Sequence, residues 1–356
     1  MGPLLDNAIG AFTIGSLEYH GQATVNACMP AAMRAGLGSP SCNKMPLPED
    51  AKVVETSKDI VELFHSIFGP HPDYRPAHAK GLLLKGTLTP TETAKKLSKA
   101  PHFKKDSTPV IARFSNSTGL PQIPDNDANA NPRGFAVRFM LAETPRRVHT
   151  DIITHSTPFF PARTPEDTFK FFKTLKDGTT PQWLETHPEA VAFIRAPKPA
   201  PSSFARENFF SVNAFKLIAE DGKETFIRYK ILPEAGEDHL DAAAVKEKLE
   251  NYLFEELPGS LKQGPIAFKL KAQVAKDGDV TDDVSVHWPE DREVVDLGTI
   301  KLESLVDNNA TEQQKIIFDP VPRVDGVEAS DDPLINLRAG IYLISGRERR
   351  AAQLSD

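Results

Sequence analysis

The stretch Ile266-Ala-Phe-Lys-Leu-Lys-Ala-Gln-Val274 sets apolar side chains two residues apart, with lysines between several of them. A period of two is that of a strand with one face buried and one wet. Working outward, Thr225–Ile231 and Phe209–Ile218 precede it, and Val110–Phe114, Gly134–Met140 and Val148–Ile153 lie further upstream. Each is a short run rich in β-branched or aromatic residues and bounded by turn formers. Many short strands joined by turns predict a barrel or a sandwich.

Helices interrupt this series. Thr164-Pro-Glu-Asp167 is a strong start, with Thr as cap, Pro at the first helical position and acids in the first turn. Phe169, Phe172 and Leu175 then form an apolar stripe. Upstream, Ser57 is read as the cap of a helix carrying Ile60, Val61, Phe64 and Ile67 and ending at Gly69-Pro70. Asp241–Glu256 is read as one helix presenting Val245, Leu249, Tyr252 and Leu253. Residues 289–333 are expected to be irregular and Pro-containing, and long irregular segments usually have a function. A last helix begins with Asp332 as cap and Pro333 at its first position, and Gly346 is expected to end it. The predicted division is therefore an arm and helix over 1–70, a β-barrel core over 71–288, a wrapping connector over 289–331 and a terminal helix over 332–356.

Composition limits the function. The chain has 356 residues, of which 40% are hydrophobic and 26% charged, which argues against a wholly disordered chain. A net charge of −7 disfavours a general nucleic-acid binder, and no apolar run approaches a membrane span. Cys28 and Cys42 are too few for a disulfide framework or a four-ligand zinc site. The N-terminus lacks a basic region before its short apolar stretch, and the chain ends Leu354-Ser355-Asp356, so cytoplasm is the expected compartment. There is no G-x-S-x-G elbow, Walker loop or G-x-G-x-x-G.

Two groups stand out chemically. In the terminal helix Arg338 and Tyr342 interrupt an apolar stripe at spacing i, i+4, where side chains are neighbours. An arginine beside a phenol favours the phenolate, a plausible anionic oxygen ligand; taken alone, packing with a surface charge explains the pair as well. Of ten histidines none forms a compact zinc spacing. His78, in Tyr74-Arg-Pro-Ala-His-Ala-Lys-Gly81, sits just before the first strand with Arg75 three residues earlier, and by itself reads as a satisfied, partly buried histidine.

Taken in order, the motifs resemble those of the haem catalases. His78-Ala-Lys-Gly81 resembles the distal-histidine motif and Val110-Ile-Ala-Arg-Phe-Ser115 the next core motif. Asp127 and Arg133-Gly-Phe-Ala-Val-Arg-Phe139 follow, and then Asp151-Ile-Ile-Thr-His-Ser-Thr-Pro-Phe-Phe160, which resembles the segment of the distal asparagine. Glu312-Gln, Phe318-Asp-Pro320 and Gly326-Val-Glu328 resemble the connector before the proximal helix, and Arg338-Ala-Gly-Ile-Tyr342 the proximal R-x-x-x-Y motif. The resemblance implies an α+β fold, an antiparallel eight-stranded β-barrel with surrounding helices, and haem b between barrel and proximal helix. Tyrosine is the known axial ligand in catalase, so Tyr342 would ligate the iron, with Arg338 beside it. His78 would move a proton between the peroxide oxygens on the way to a ferryl intermediate, oriented by Ser115. Arg75, Arg113 and Arg349 would hold the propionates, since arginine binds carboxylates in a bidentate fork, and Phe135 and Phe169 would line the haem. Homo-oligomers, dimers or tetramers, are implied as well.

The sequence departs from that pattern in two places. Counted ungapped from Asp151, the distal asparagine falls on Ser156, with His155 before it. The chain also stops soon after Tyr342, which resembles the small catalase-related peroxidases. The expected activity is a haem peroxidase reducing hydrogen peroxide or organic hydroperoxides with a small-molecule reductant, with weak catalase activity. The alternatives are a true catalase, a fatty-acid hydroperoxide rearranging enzyme of the allene oxide synthase type, which Ala77 before His78 tells against, and a haem carrier.

Overall fold

The computed structural model describes residues 45–352. The expected arm over the first 44 residues, with Cys28 and Cys42, lies outside the described residues, as do the last four. Helix α1 (Ala51–Phe68) leads into strand β1 (Gly81–Pro90). Short helices α2 (Glu92–Leu97) and α3 (Pro101–Lys104) precede β2 (Thr108–Ser115), β3 (Gly134–Ala142) and β4 (Val148–His155). Helices α4 (Pro165–Asp177), α5 (Thr180–Leu184) and α6 (Pro188–Arg195) then cross to β5 (Ala200–Pro201), β6 (Phe209–Phe210), β7 (Phe215–Ile218), β8 (Glu224–Pro233) and β9 (His239–Leu240). Helices α7 (Ala242–Lys246) and α8 (Tyr252–Gln263) lead to β10 (Ile266–Val274) and β11 (Val294–Leu305). Helix α9 (Asn309–Lys315), β12 (Val327–Ala329) and α10 (Pro333–Ala352) complete the order.

The strands pair antiparallel in the order β10-β11-β1-β2-β3-β4-β6-β8, and β8 pairs back with β10. That second pairing closes an eight-stranded barrel and leaves the ring without an open edge. β7 and β12 extend outward from β8. Inside the ring, Phe114 stacks on Phe135 at 4.5 Å and on Phe204 at 4.9 Å, and Phe268 lies 5.1 Å from Phe135. Fully burying one such side chain stabilises by about 1.5–3 kcal/mol, so the aromatic plug is a main reason the ring closes. In β10 the buried residues Ile266, Phe268, Leu270 and Ala272 are the apolar set of the two-residue period.

Several expected elements differ. Residues 289–333 are not irregular throughout: β11 is a full member of the ring. Its buried residues are Leu297, Gly298, Ile300 and Leu302, so the period of two slips by one. The slip is a bulge, since Leu270 pairs with Gly298 but Lys271 pairs with Asp296. The expected helix Asp241–Glu256 is split into α7 and α8, with Leu249 exposed between them. There the Glu250 carbonyl accepts from Asp125 N–H and the Lys248 carbonyl from the Asn126 side chain, tertiary bonds that compete with the helical ladder. The run Phe209–Ile218 breaks after Phe210.

The helix caps were partly legible. Thr164 caps α4, its hydroxyl accepting from Asp167 N–H, and Asp332 Oδ1 accepts from Leu334 N–H. Ser57 is not a cap: Asp50 Oδ1 accepts from Lys52 N–H, and the helix begins about two turns earlier. Ser57 is buried inside α1, its hydroxyl 2.7 Å from the Val53 carbonyl and 3.3 Å from that of Leu337 on α10. Gly346 does not end the last helix. A Cβ there would come 2.3 Å from Ile317 Cδ1, so the glycine serves the close approach of the connector to an uninterrupted α10.

Candidate functional site

The site is built on the outer face of β2, β3 and β4. Side chains alternate along a strand, so Phe114 and Phe135 enter the barrel while Arg113, Ser115 and the position of Gly134 face the other way. Gly134 contributes by having no side chain. A Cβ there would lie 2.4 Å from Ser115 Oγ and 3.0 Å from His78 Nδ1. His78 fills that space, with Nδ1 3.2 Å from Ser115 Oγ.

His78 has φ of 56°, a left-handed conformation that non-glycine residues rarely adopt. Such strain persists only where the surroundings over-determine it. Arg113 does this from β2: one Nη2 donates to the carbonyls of His78 and Ala79, each at 3.0 Å, while Nε donates to Gln313 Oε1 on α9 at 2.9 Å. Ala79 N–H also donates to the Thr118 carbonyl. Burial, and then the Arg113 charge, push the His78 imidazole down to about 4, so it is a neutral base at neutral pH.

Arg75, Arg113 and Arg349 come together from three separate parts of the chain. Arg75 and Arg349 both donate to the Ile316 carbonyl, each at 3.1 Å, and Arg349 also donates to Ser345 Oγ. Burial and mutual repulsion lower all three from the usual guanidinium range, Arg113 to about 9. Among the described residues no carboxylate forms an ion pair with any of them, and the buried Arg349 Nε has no hydrogen-bond partner. Three converging, uncompensated cations form a receptor for a ligand bearing carboxylates.

On α10, Arg338 Nε and Nη2 lie 3.3 and 3.2 Å from the Tyr342 hydroxyl oxygen. Arg338 is steered by Asn213, whose Oδ1 accepts from Nη1 and whose Nδ2 donates to the buried Asp332 at 2.9 Å. Asn213 sits where the chain leaves the ring after Phe210, so the break in that strand delivers a residue to this helix. Arg75 and Arg338 are close enough to bear electrostatically on His78, and Tyr342 on Arg75, which ties the two sides together. Donor set and cations match what a haem would require: a phenol oxygen, facing guanidinium groups for the propionates, and a base.

Of the residues singled out in the sequence, His78, Ser115, Arg75, Arg113, Arg338, Tyr342 and Arg349 are brought together by the fold. Two assignments change. Phe135 does not line this site; it is buried in the barrel, because its neighbour Gly134 faces the site. Ser156 is turned to the backbone, its Oγ accepting from Arg133 N–H at 2.9 Å, and His155 takes the site-facing position opposite Gly134. Phe169 packs with a cluster containing Ile60, Phe64, Val212, Val284, Leu334 and Leu337, between α1, α4 and α10. Asn213, Gln313 and the Ile316 carbonyl were missed, since single amides and backbone carbonyls leave no sequence motif.

The profile of the Catalase family matches residues 72–355. The chain belongs to the catalase family. Among curated relatives, the catalase-related peroxidase of Mycolicibacterium paratuberculosis is 33% identical over 302 residues, covering 83% of this chain and 95% of the relative. The catalase-related peroxidase of Synechococcus elongatus is 29% identical and covers 83% and 88%. Wheat catalase is 28% identical, and the match takes in 77% of this chain but 60% of that protein. Of solved structures, a fungal catalase superposes with a TM-score of 0.70 over 97% of this chain and 71% of its own, at 20% identity. Catalase A of Saccharomyces cerevisiae gives 0.69 over 91% and 68%, also at 20% identity. The eight-stranded closed barrel with flanking helices is thus the catalase fold. No helix among the described residues is long and apolar enough to cross a membrane.

Proposed function

We propose that this member of the catalase family is a haem b peroxidase that reduces hydrogen peroxide or organic hydroperoxides at the expense of a small-molecule reductant. The observation that carries the reading is an arginine triad without a carboxylate ion pair, Arg113 and Arg349 buried and Arg75 partly so, near a neutral imidazole and a guanidinium-bound phenol. Protoporphyrin carries two propionates, which these arginines would neutralise. The two relatives named catalase-related peroxidase, nearly full-length matches, support peroxidase over catalase.

Tyr342 would hold the iron through its phenol oxygen, with Arg338 balancing charge there and Asn213 and Asp332 fixing Arg338. When bound, the haem would supply the two electrons that O–O cleavage requires, to be restored by the small-molecule reductant. His78, its Nδ1 engaged toward Ser115, offers Nε2 as the acceptor of the peroxide proton and returns that proton to the departing oxygen, which leaves as water or an alcohol. Arg113 keeps the strained His78 backbone in place. Phe169 is a wall residue for the same cofactor, and the protein works as a homo-oligomer.

Purified holoprotein tests this. Turnover of cumyl hydroperoxide with a phenolic donor is expected to rival oxygen release from hydrogen peroxide, and the ferric protein to show the spectrum of a five-coordinate high-spin tyrosinate haem, lost in Tyr342→Phe. Vigorous oxygen evolution without organic hydroperoxide reduction would reject the peroxidase reading. A protein that takes up no haem would reject the reading altogether.

A further inference from the structure

The site face carries a second imidazole that the proton transfer above does not use. In the register of β2, β3 and β4, Ser115 stands opposite Gly134 and Gly134 opposite His155. Residues directly opposite in antiparallel strands share a face. His78 fills the space above Gly134, so His155 emerges beside it. Ser156 points elsewhere, holding both the N–H and the carbonyl of Arg133 through its own Oγ and N–H.

The backbone fixes the His155 tautomer. Thr157 N–H donates to Nδ1 at 3.1 Å, so Nδ1 presents a lone pair and the neutral ring carries its proton on Nε2. Among the described residues the His155 ring makes this one hydrogen bond, and none through Nε2. Burial, with the neighbouring His78 and Arg338, pushes His155 down to about 3, so the ring stays a neutral donor at neutral pH.

We propose that His155 donates a hydrogen bond from Nε2–H to the peroxide held on this face, as the partner of His78, which accepts. The assignment rests on the haem peroxidase reading above. It divides the work between two imidazoles: His78 presents a lone pair at Nε2 when its Nδ1–H donates to the Ser115 hydroxyl, which can accept, whereas His155 presents a proton because the Thr157 N–H can only donate to its Nδ1. The ring also carries its donor farther from the backbone than a serine hydroxyl would.

Fluoride binding to the ferric holoprotein reads this donor without turnover, because bound fluoride is a strong hydrogen-bond acceptor. His155→Leu is expected to weaken fluoride binding by about tenfold or more, the range for losing a hydrogen bond to a charged acceptor. His155→Phe, which keeps a ring but no N–H, should do the same and serves if leucine disturbs folding. His155→Asn and His155→Gln, which retain N–H donors, should recover affinity to within about threefold. Wild-type fluoride affinity in both the Leu and Phe variants overturns the proposal, as does loss in Asn and Gln equal to that in Leu. Loss in Ser156→Ala with none in His155→Leu would hand the role to Ser156. Failure of the unmodified protein to bind haem would sink the underlying reading; normal haem and fluoride binding with indifferent His155 variants would sink this proposal alone.

Discussion

Arg138 and the Arg75–Arg113–Arg349 triad lie on the same side of the barrel and are both withdrawn from water, yet their charges are handled in opposite ways. Arg138, on β3, forms a two-pronged pair with Asp151 of β4, through Nε at 2.9 Å and Nη2 at 2.6 Å, and also donates to the Ile317 carbonyl. Asp151 in turn accepts from Asp319 N–H, so the pair pins the connector to the sheet. One residue away, at Ile316, the connector accepts from Arg75 and Arg349, which have no carboxylate. A buried cation with its counter-ion supports the fold. A cluster of cations without one costs the protein stability unless an anion joins it, which is what the proposed haem propionates would do.

The difference can be broken or sharpened by substitution. The largest effect belongs to the chemistry the triad surrounds: His78→Ala should lower peroxide turnover by about 10²–10⁴-fold, the range for removing a general acid–base, with haem still bound. Turnover near wild type in a steady-state assay would remove His78 from the mechanism. Arg138→Leu strands Asp151 and should cost roughly 3–5 kcal/mol of unfolding free energy in urea titrations; a cost under about 1 kcal/mol would mean that the pair is effectively solvated. Arg75→Leu is the contrasting case. It should weaken haem binding by about 10–100-fold, for the loss of a charged hydrogen bond, while the haem-free protein stays as stable or becomes more so. Destabilisation of the haem-free protein equal to that of Arg138→Leu would erase the distinction.

The smallest effect is in acid. An ordinary imidazole titrates near 6.5, but His78 is held at about 4 by burial and the Arg113 charge. Protonation removes the acceptor, so kcat/KM for peroxide should stay level as pH falls through 6.5 and decline only toward pH 4. A decline centred near 6.5 would show that neither burial nor the arginines act on His78 as the geometry requires.

Much of this was legible in the chain alone. The two-residue period of Ile266–Val274 and the cap at Thr164 are local properties and reappear in the fold. The strand that was missed, Val294–Leu305, shows why legibility fails: its period slips at Leu297, and only pairing with β10 makes that slip a bulge inside a barrel strand. The helix expected over Asp241–Glu256 was divided by carbonyl partners lying more than a hundred residues upstream.

The order of motifs in the sequence determined which residues are candidates for the chemistry: His78, Arg338 and Tyr342, with arginines fit to hold carboxylates. Which neighbour faces the site was decided in three dimensions. Strand alternation exchanges the roles of adjacent residues, so pairing with Gly134 put His155 on the outer, site-bearing face, left Ser156 on the backbone and sent Phe135 into the barrel. Register is a relation between strands, and a shift of one residue reverses every side chain.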